Sequence, residues 1–197
     1  MSQFNIVLCG LGGQGIVSLT KIFGELAINS GFDIKINNII GLGQRGGSVS
    51  SHIRINKEEK VISPMIEYGS SDILIGLEKT ELFRNIHYLK ENGICFFHDY
   101  NLTSPTINTK LENEVEFDLD DILKRKKQRA ICIDDYINQE KIESSINFLI
   151  LPILLKLINF DNIEEFLIRK KSRNLMQKIA AVNIGYKVSE EINNHVY

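Results

Sequence analysis

Cysteine is scarce in this chain and never clustered. The three present, Cys9, Cys95 and Cys132, lie far apart, each in or at the end of an apolar run, and no C-x-x-C pair occurs. That usage predicts reduced, buried thiols in a cytoplasmic protein. It argues against zinc or iron–sulfur ligation by this chain. With no activating base visible, none of the three is a candidate nucleophile. An excess of charge is missing as well. With 23 Lys and Arg against 25 Asp and Glu, the net charge is −2 and the pI about 6.1, so no global positive field draws nucleic acid or an anionic membrane. Long apolar runs are absent too. The longest, Ser144–Leu155, is interrupted by Pro152 and falls short of the roughly 18 residues that a membrane-crossing helix needs. The N-terminus shows no basic region ahead of an apolar stretch, which predicts a chain without a secretory signal.

What is present is an ordinary globular composition, 43% hydrophobic and 24% charged, in a length that suits one α/β domain. Four charge-free runs, Phe4–Cys9, Ile73–Leu77, Ile94–Phe97 and Ala130–Ile133, read as strands buried on both faces. Between them Ile16, Leu19, Ile22, Phe23, Leu26 and Ala27 recur at helical spacing, and Gly31 stops that helix. Leu82, Phe83, Ile86 and Leu89 form a second stripe, expected to end at Asn92-Gly93, and a third helix is expected over Leu119–Lys126. This alternation predicts right-handed βαβ units in a three-layer α/β/α sandwich with a mostly parallel sheet.

Residues 32–66 break the rhythm. Ile34, Ile36 and Ile39 suggest a second strand. A glycine-dense loop follows, then an alternation with Val49, Ser51, Ile53 and Ile55 on one face and Ser50, His52 and Arg54 on the other. That pattern predicts an edge or antiparallel strand near residues 48–56, beside a cleft or a partner. The last third is helical: Ile146–Leu157 is apolar nearly all round, so it is buried or covered by another subunit. Asp161 with Glu164 resembles a capping box, and Leu175, Ile179, Val182 and Tyr186 give a terminal helix its inner stripe. Neither a linker nor an internal repeat is visible, so residues 1–197 are expected to form a single domain.

Two loops carry the chemistry. Gly10-Leu11-Gly12-Gly13-Gln14-Gly15 stands between a strand and a helix, where a backbone cradle and a helix N-terminus can receive an anion. The other marks of a nicotinamide site are lacking. The region that should supply a ribose-binding acid reads Ile36-Asn37-Asn38-Ile39, and the nearest acid, Asp33, opens the strand. A phosphate-binding Walker loop would need Gly-Lys-Ser/Thr, and Gly15 is followed by Ile16-Val17. The second loop, Gln44-Arg45-Gly46-Gly47, sets a guanidinium among flexible backbone positions, suited to forked bonds with phosphate or carboxylate. Placed after the second strand, it is expected beside the first loop at the carboxyl edge. The plainer alternative is that the glycines only make the turn and pack the helix, and Arg45 could equally pin its own loop or a neighbouring subunit.

Gly10-x-Gly12-Gly13-Gln14-Gly15 and Gln44-Arg45-Gly46-Gly47-Ser48-Val49, with Ser51-His52-x-Arg54 and Ser63-Pro64 downstream, resemble the gamma-type domain of 2-oxoacid:ferredoxin oxidoreductases. Within that family the likeness is greatest to the beta subunits of indolepyruvate ferredoxin oxidoreductases. Specific motifs carry it from about Phe4 to Asp99; beyond, it rests on element order. The resemblance implies a Rossmann-like fold and a subunit of an oxygen-sensitive, hetero-oligomeric complex. Such complexes decarboxylate a 2-oxoacid on thiamine diphosphate, pass electrons through iron–sulfur clusters to ferredoxin, and release an acyl-CoA. This chain has no Gly-Asp-Gly thiamine diphosphate motif and no cysteine cluster. The resemblance therefore implies that a partner subunit carries both cofactors, and that this chain completes the assembly and binds none alone. Coenzyme A is the implied co-substrate, with Gly10, Gly12, Gly13, Gln14, Gly15, Gln44, Arg45, Gly46 and Gly47 as its candidate binding residues. No catalytic residue and no metal ligand are assigned to the chain.

The remaining polar features have plainer readings. Lys124-Arg125-Lys126-Lys127 with Arg129, and Arg169-Lys170-Lys171 with Arg173, suit solvated helix ends, although the first run could also dock an acidic ferredoxin. His98-Asp99 closes a strand at its carboxyl end and reads as structural or rim; His52 is expected to touch a partner. Two alternatives remain: a stand-alone NAD(P)- or nucleotide-binding enzyme of doubly wound fold, and a non-catalytic assembly protein.

Overall fold

A computed structural model describes residues 3–41, 46–102, 128–137, 146–160, 163–169 and 174–193. The expected helix over Leu119–Lys126, the run Lys124–Lys127, the Asp161 cap, Lys170, Lys171 and Arg173, and the loop residues Gln44 and Arg45 lie outside these. In chain order the elements are β1 (Phe4–Leu11), α1 (Ile16–Asn29), β2 (Asp33–Ile40), β3 (Ser48–Asn56), β4 (Ser71–Gly76), α2 (Lys79–Asn85), a one-turn 3₁₀ helix (Ile86–Tyr88), β5 (Leu89–Phe97) and β6 (Arg129–Cys132). A second 3₁₀ turn (Ile133–Tyr136) leads to α3 (Ile146–Leu157), α4 (Ile163–Arg169) and α5 (Leu175–Asn193).

The strands form one mixed sheet in the order β2-β3-β1-β4-β5-β6. β1, β4, β5 and β6 run parallel, and β3 is antiparallel to both its neighbours, β1 and β2. Residues 48–56 thus form the expected antiparallel strand, but an interior one; β2 is the edge. On the polar face of β3, Ser50 and His52 are accordingly buried and Arg54 is half-buried. His52, expected at a partner, is fully enclosed, because the chain after β3 folds back over it and Ile66 N–H donates to His52 Nδ1 at 3.2 Å.

The sheet separates two unequal cores. Ile6, Leu8, Ile53, Ile55, Ile73, Ile75 and Phe96 meet α1, α3, α4 and α5 on one face. Val7, Cys9, Leu74 and Cys95 meet Leu82 of α2, Leu89 and Ile66 on the other. The three layers follow from branched apolar residues at period two in the strands and at helical spacing in α1. The largely apolar α3 is buried within the protein: Phe148 to Leu155 are all buried.

The second helix ends earlier than its stripe suggests. Leu89 opens β5, and Asn92-Gly93 lie inside that strand. Ser71 pairs with Leu89 but Ile73 with Ile94, so the intervening residues bulge, and Asn92 takes φ 60°, a region Asn tolerates better than most residues. Gln128 Nε2 donates to the carbonyls of Leu89 and Lys90 at 2.9 and 3.0 Å, satisfying acceptors that the bulge removes from the ladder. Among the described residues no helix is long and apolar enough to cross a membrane.

Candidate functional site

β1 is followed by α1 on one face of the sheet, while its parallel neighbour β4 is followed by α2 on the other. Where successive helices leave in opposite directions, a crevice opens at the carboxyl ends of the strands. A cavity of about 680 Å³ lies at this edge. Leu11 at the end of β1 with Gly12–Gly15 after it, Gly46 of the second loop, His98–Tyr100 and Leu102 after β5, and Ile146-Asn147 at the start of α3 line it.

The loops meet as expected. Gly12 N–H donates to Gly47 O at 2.8 Å, and Ser48 Oγ donates to the buried Glu81 carboxylate of α2 at 2.5 Å. Gly15 adopts φ 80° as the N-cap of α1, and a Cβ there would stand 2.8 Å from Asn147 Nδ2. Glycine therefore serves both the left-handed turn and the approach of α3. The first turn of α1 contains no acidic residue, which leaves the positive end of its dipole uncompensated by its own sequence.

Gln14 has a different place from the one its position in the motif suggests. Its Oε1 accepts Leu11 N–H at 2.7 Å and its Nε2 donates to Leu77 O at 2.8 Å. The carboxamide ties the loop to the end of β4, and it lies where a side chain on Gly10 would otherwise be. Gly13 and Gly46 face the cavity. The amides of Leu11, Gly12 and Gln14 are all bonded within the protein, so the cradle's remaining donors come from Gly13, Gly15 and the first turn of α1.

The opposite wall holds a pair that no sequence motif announced. His98 Nδ1 lies 2.9 and 3.0 Å from the two oxygens of Asp134, and Asp134 Oδ2 also accepts Asp99 N–H at 2.6 Å. Burial works to raise the Asp134 pKa. The Asp99 amide and His98 outweigh it and hold the carboxyl below its usual value. A carboxylate only accepts, so Nδ1 carries the proton. Tyr100 stacks on His98, ring centroids 5.8 Å apart and 12° from parallel. This wall is fastened to α2: Glu78 caps the helix through Glu81 N–H at 2.8 Å and accepts Leu102 N–H at 3.2 Å, while Lys79 N–H donates to Tyr100 O at 2.8 Å. His98 and Asp134 stand just past the ends of adjacent parallel strands, since Phe97 pairs with Cys132. Reading the two strand ends side by side would have revealed them.

A nicotinamide site does not fit this frame. β3 lies between β1 and β2, so the end of β2 is two strands, roughly 10 Å, from the glycine loop rather than one. Its Asn38 is engaged by Ser51 Oγ at 2.5 Å, and Asp33 accepts Val61 N–H at 2.6 Å. Cys9 and Cys95 are buried on one sheet face, and among the described residues no three His, Cys, Asp or Glu side chains converge.

A family model described as pyruvate ferredoxin/flavodoxin oxidoreductase matches residues 5–187. The chain belongs to that family. The match takes in the C-terminal third, where the sequence offered only element order. Among curated relatives in the oxidoreductase family, indolepyruvate oxidoreductase subunit IorB of Thermococcus kodakarensis is 35% identical over 49% of this chain and 46% of its own length. The chain is thus matched to about half of that relative's length. The IorB subunit of Methanothermobacter thermautotrophicus is 29% identical over 92% of this chain and 93% of its own. The fold recurs in the keto/oxoacid ferredoxin oxidoreductase gamma subunit from Geobacter sulfurreducens, with TM-score 0.63, 19% identity, and coverage of 95% of this chain and 99% of that one. It recurs also in 2-oxoglutarate:ferredoxin oxidoreductase from Magnetococcus marinus, solved with 2-oxoglutarate, coenzyme A and succinyl-CoA bound, with TM-score 0.69 and 16% identity over 97% of this chain and 32% of that one. The mixed α/β sandwich of the oxidoreductase gamma subunits is therefore the fold of this chain.

Proposed function

We propose that this chain is a subunit of a cytoplasmic 2-oxoacid:ferredoxin oxidoreductase complex acting on indolepyruvate or a similar aryl-pyruvate. As a single gamma-type domain, it completes an assembly whose partner carries thiamine diphosphate and iron–sulfur clusters, and which forms acyl-CoA and reduces ferredoxin. Its paired glycine loops help hold the diphosphate of coenzyme A. The observation that carries the coenzyme A role is the cavity where Gly12 meets Gly47 beside the open N-terminus of α1, a setting that favours phosphate. The Magnetococcus relative of the same fold, solved with coenzyme A bound, supports it. Anaerobic co-expression with the partner should give a brown complex that reduces a viologen dye when supplied with 2-oxoacid and coenzyme A. The chain alone should be colourless and inactive, and tight NAD binding by it would overturn the proposal. Arg45→Ala in the complex should raise the KM for coenzyme A; an unchanged coenzyme A dependence would remove that role. The internal bonding of Leu11, Gly12 and Gln14 favours the second reading in that event, loops that shape the subunit contact.

A further inference from the structure

We propose that His98 contacts a phosphate of the ligand in this cavity and that Asp134 is its positioning residue. The inference rests on the reading that the glycine loops take the diphosphate of coenzyme A, and it names a charged group that helps hold it. His98 lines the same cavity as Gly12–Gly15. Its Nδ1 is committed to Asp134, so the ring is fixed and Nε2 is the nitrogen left for a ligand. A diphosphate is multiply charged, whereas the helix N-terminus offers only partial charge. The described lining residues include no Lys or Arg, and they include Asp99, which has the sign of the ligand. A protonated imidazole adds a full positive charge and a charge-assisted N–H donor to what the loops supply.

The groups around His98 permit this. Asp134 comes from the turn after β6, with Cys132 Sγ 3.6 Å from its Oδ2. Asp99, next in the chain, is paired with Lys79 of α2. Tyr100 stacks on the ring, and the lining residues from α3 and the loop before α1 are uncharged. Asp134 is thus the one carboxylate bonded directly to the imidazole among the described residues, which orients the ring and balances its charge.

The test uses the assembled complex. His98→Gln should raise the KM for coenzyme A about tenfold, with kcat at saturating coenzyme A within about twofold. Asp134→Asn should raise it by about threefold, since the ring remains but is less firmly held. 3′-Dephospho-coenzyme A keeps the diphosphate and should show the same His98→Gln penalty; loss of the penalty would overturn the contact. If His98→Gln leaves the KM unchanged while Arg45→Ala raises it, this assignment falls and the loop reading stands. If both variants leave it unchanged, the two fall together. Should His98→Gln fail to assemble, the wild-type full chain can be titrated with inorganic pyrophosphate while the His98 imidazole resonance is followed by NMR. A shifted resonance supports the contact, and an unmoved one overturns it.

Discussion

On the face of the sheet that receives α1, α3, α4 and α5, the strands present Ile6, Leu8, Ile53, Ile55, Ile73, Ile75 and Phe96. On the opposite face the same strands present Val7, Cys9, Ser50, His52, Leu74 and Cys95, under a short helix and an irregular segment. The first face is held by removal of large branched side chains from water, worth roughly 1.5–3 kcal/mol for each fully buried one. The second has smaller apolar groups and depends on polar groups finding partners, among them His52 with Ile66 N–H. A deletion on the first face leaves a cavity; a deletion on the second leaves an orphaned donor or acceptor.

Phe23→Ala should have the largest effect on stability. Phe23 is fully buried in the first core, and its loss should cost about 3–5 kcal/mol in urea unfolding. A cost below that of His52→Leu would reverse the comparison. His52→Leu should cost about 1–3 kcal/mol by stranding Ile66 N–H, and pH sharpens the test. Burial, with His87 adding, pushes the His52 imidazole below its ordinary pKa, so the folded chain keeps it neutral where the unfolded chain takes up a proton. Its contribution is therefore present above about pH 6.5, the unfolded value, and is lost as pH falls below it. Unfolding at pH 7.5 and 5.5 should show a larger loss in the wild type than in His52→Leu; equal losses would mean that a neutral His52 does not hold this face.

Asp134→Asn should cost less, about 1 kcal/mol or under, because its side chain is 35% exposed and solvent screens its partners. Its carboxyl is held low in the folded chain, so its contribution is present above about pH 4 and is lost as pH falls through the lower folded value. Acid unfolding of wild type and variant should therefore converge at the lowest pH. The smallest effect concerns reactivity. Burial pushes the Cys95 thiol up to about 12. Burial, then Cys95, Glu81 and Glu78, pushes Cys9 up as well. Iodoacetamide at pH 8 should leave both unmodified in the folded chain, as judged by mass spectrometry. Their modification would show that the second face opens.

The strand cores and α1 were legible because each repeats a local apolar period, and α3 because its run is apolar nearly all round. The boundary between α2 and β5 was not. The apolar spacing from Leu82 to Leu89 continues a helical pattern, and it is pairing with β4 that extends the second half as a strand. His52 was misplaced for a related reason. Its alternation with Ser50 and Arg54 is that of a solvent-facing strand side, and only the fold-back of residues 57–70 buries it. In the site, the glycine loops were readable as local turn chemistry, while His98 and Asp134 are 36 residues apart and become neighbours only through parallel strand pairing.

By itself the sequence determined the α/β layering, the glycine turn before α1, the lack of a local acid for a nicotinamide ribose, and, through two linked loops, the family. These depend on residue type and short-range spacing. Only the tertiary structure decided that β3 runs inside the sheet and displaces the end of β2 from the glycine loop. The same holds for the bonding of Gln14's carboxamide to Leu77 and for the His98–Asp134 pair on the cavity's far wall. Each of these depends on which strands lie side by side, and hydrogen-bond pairing across the sheet sets that order where spacing along the chain does not.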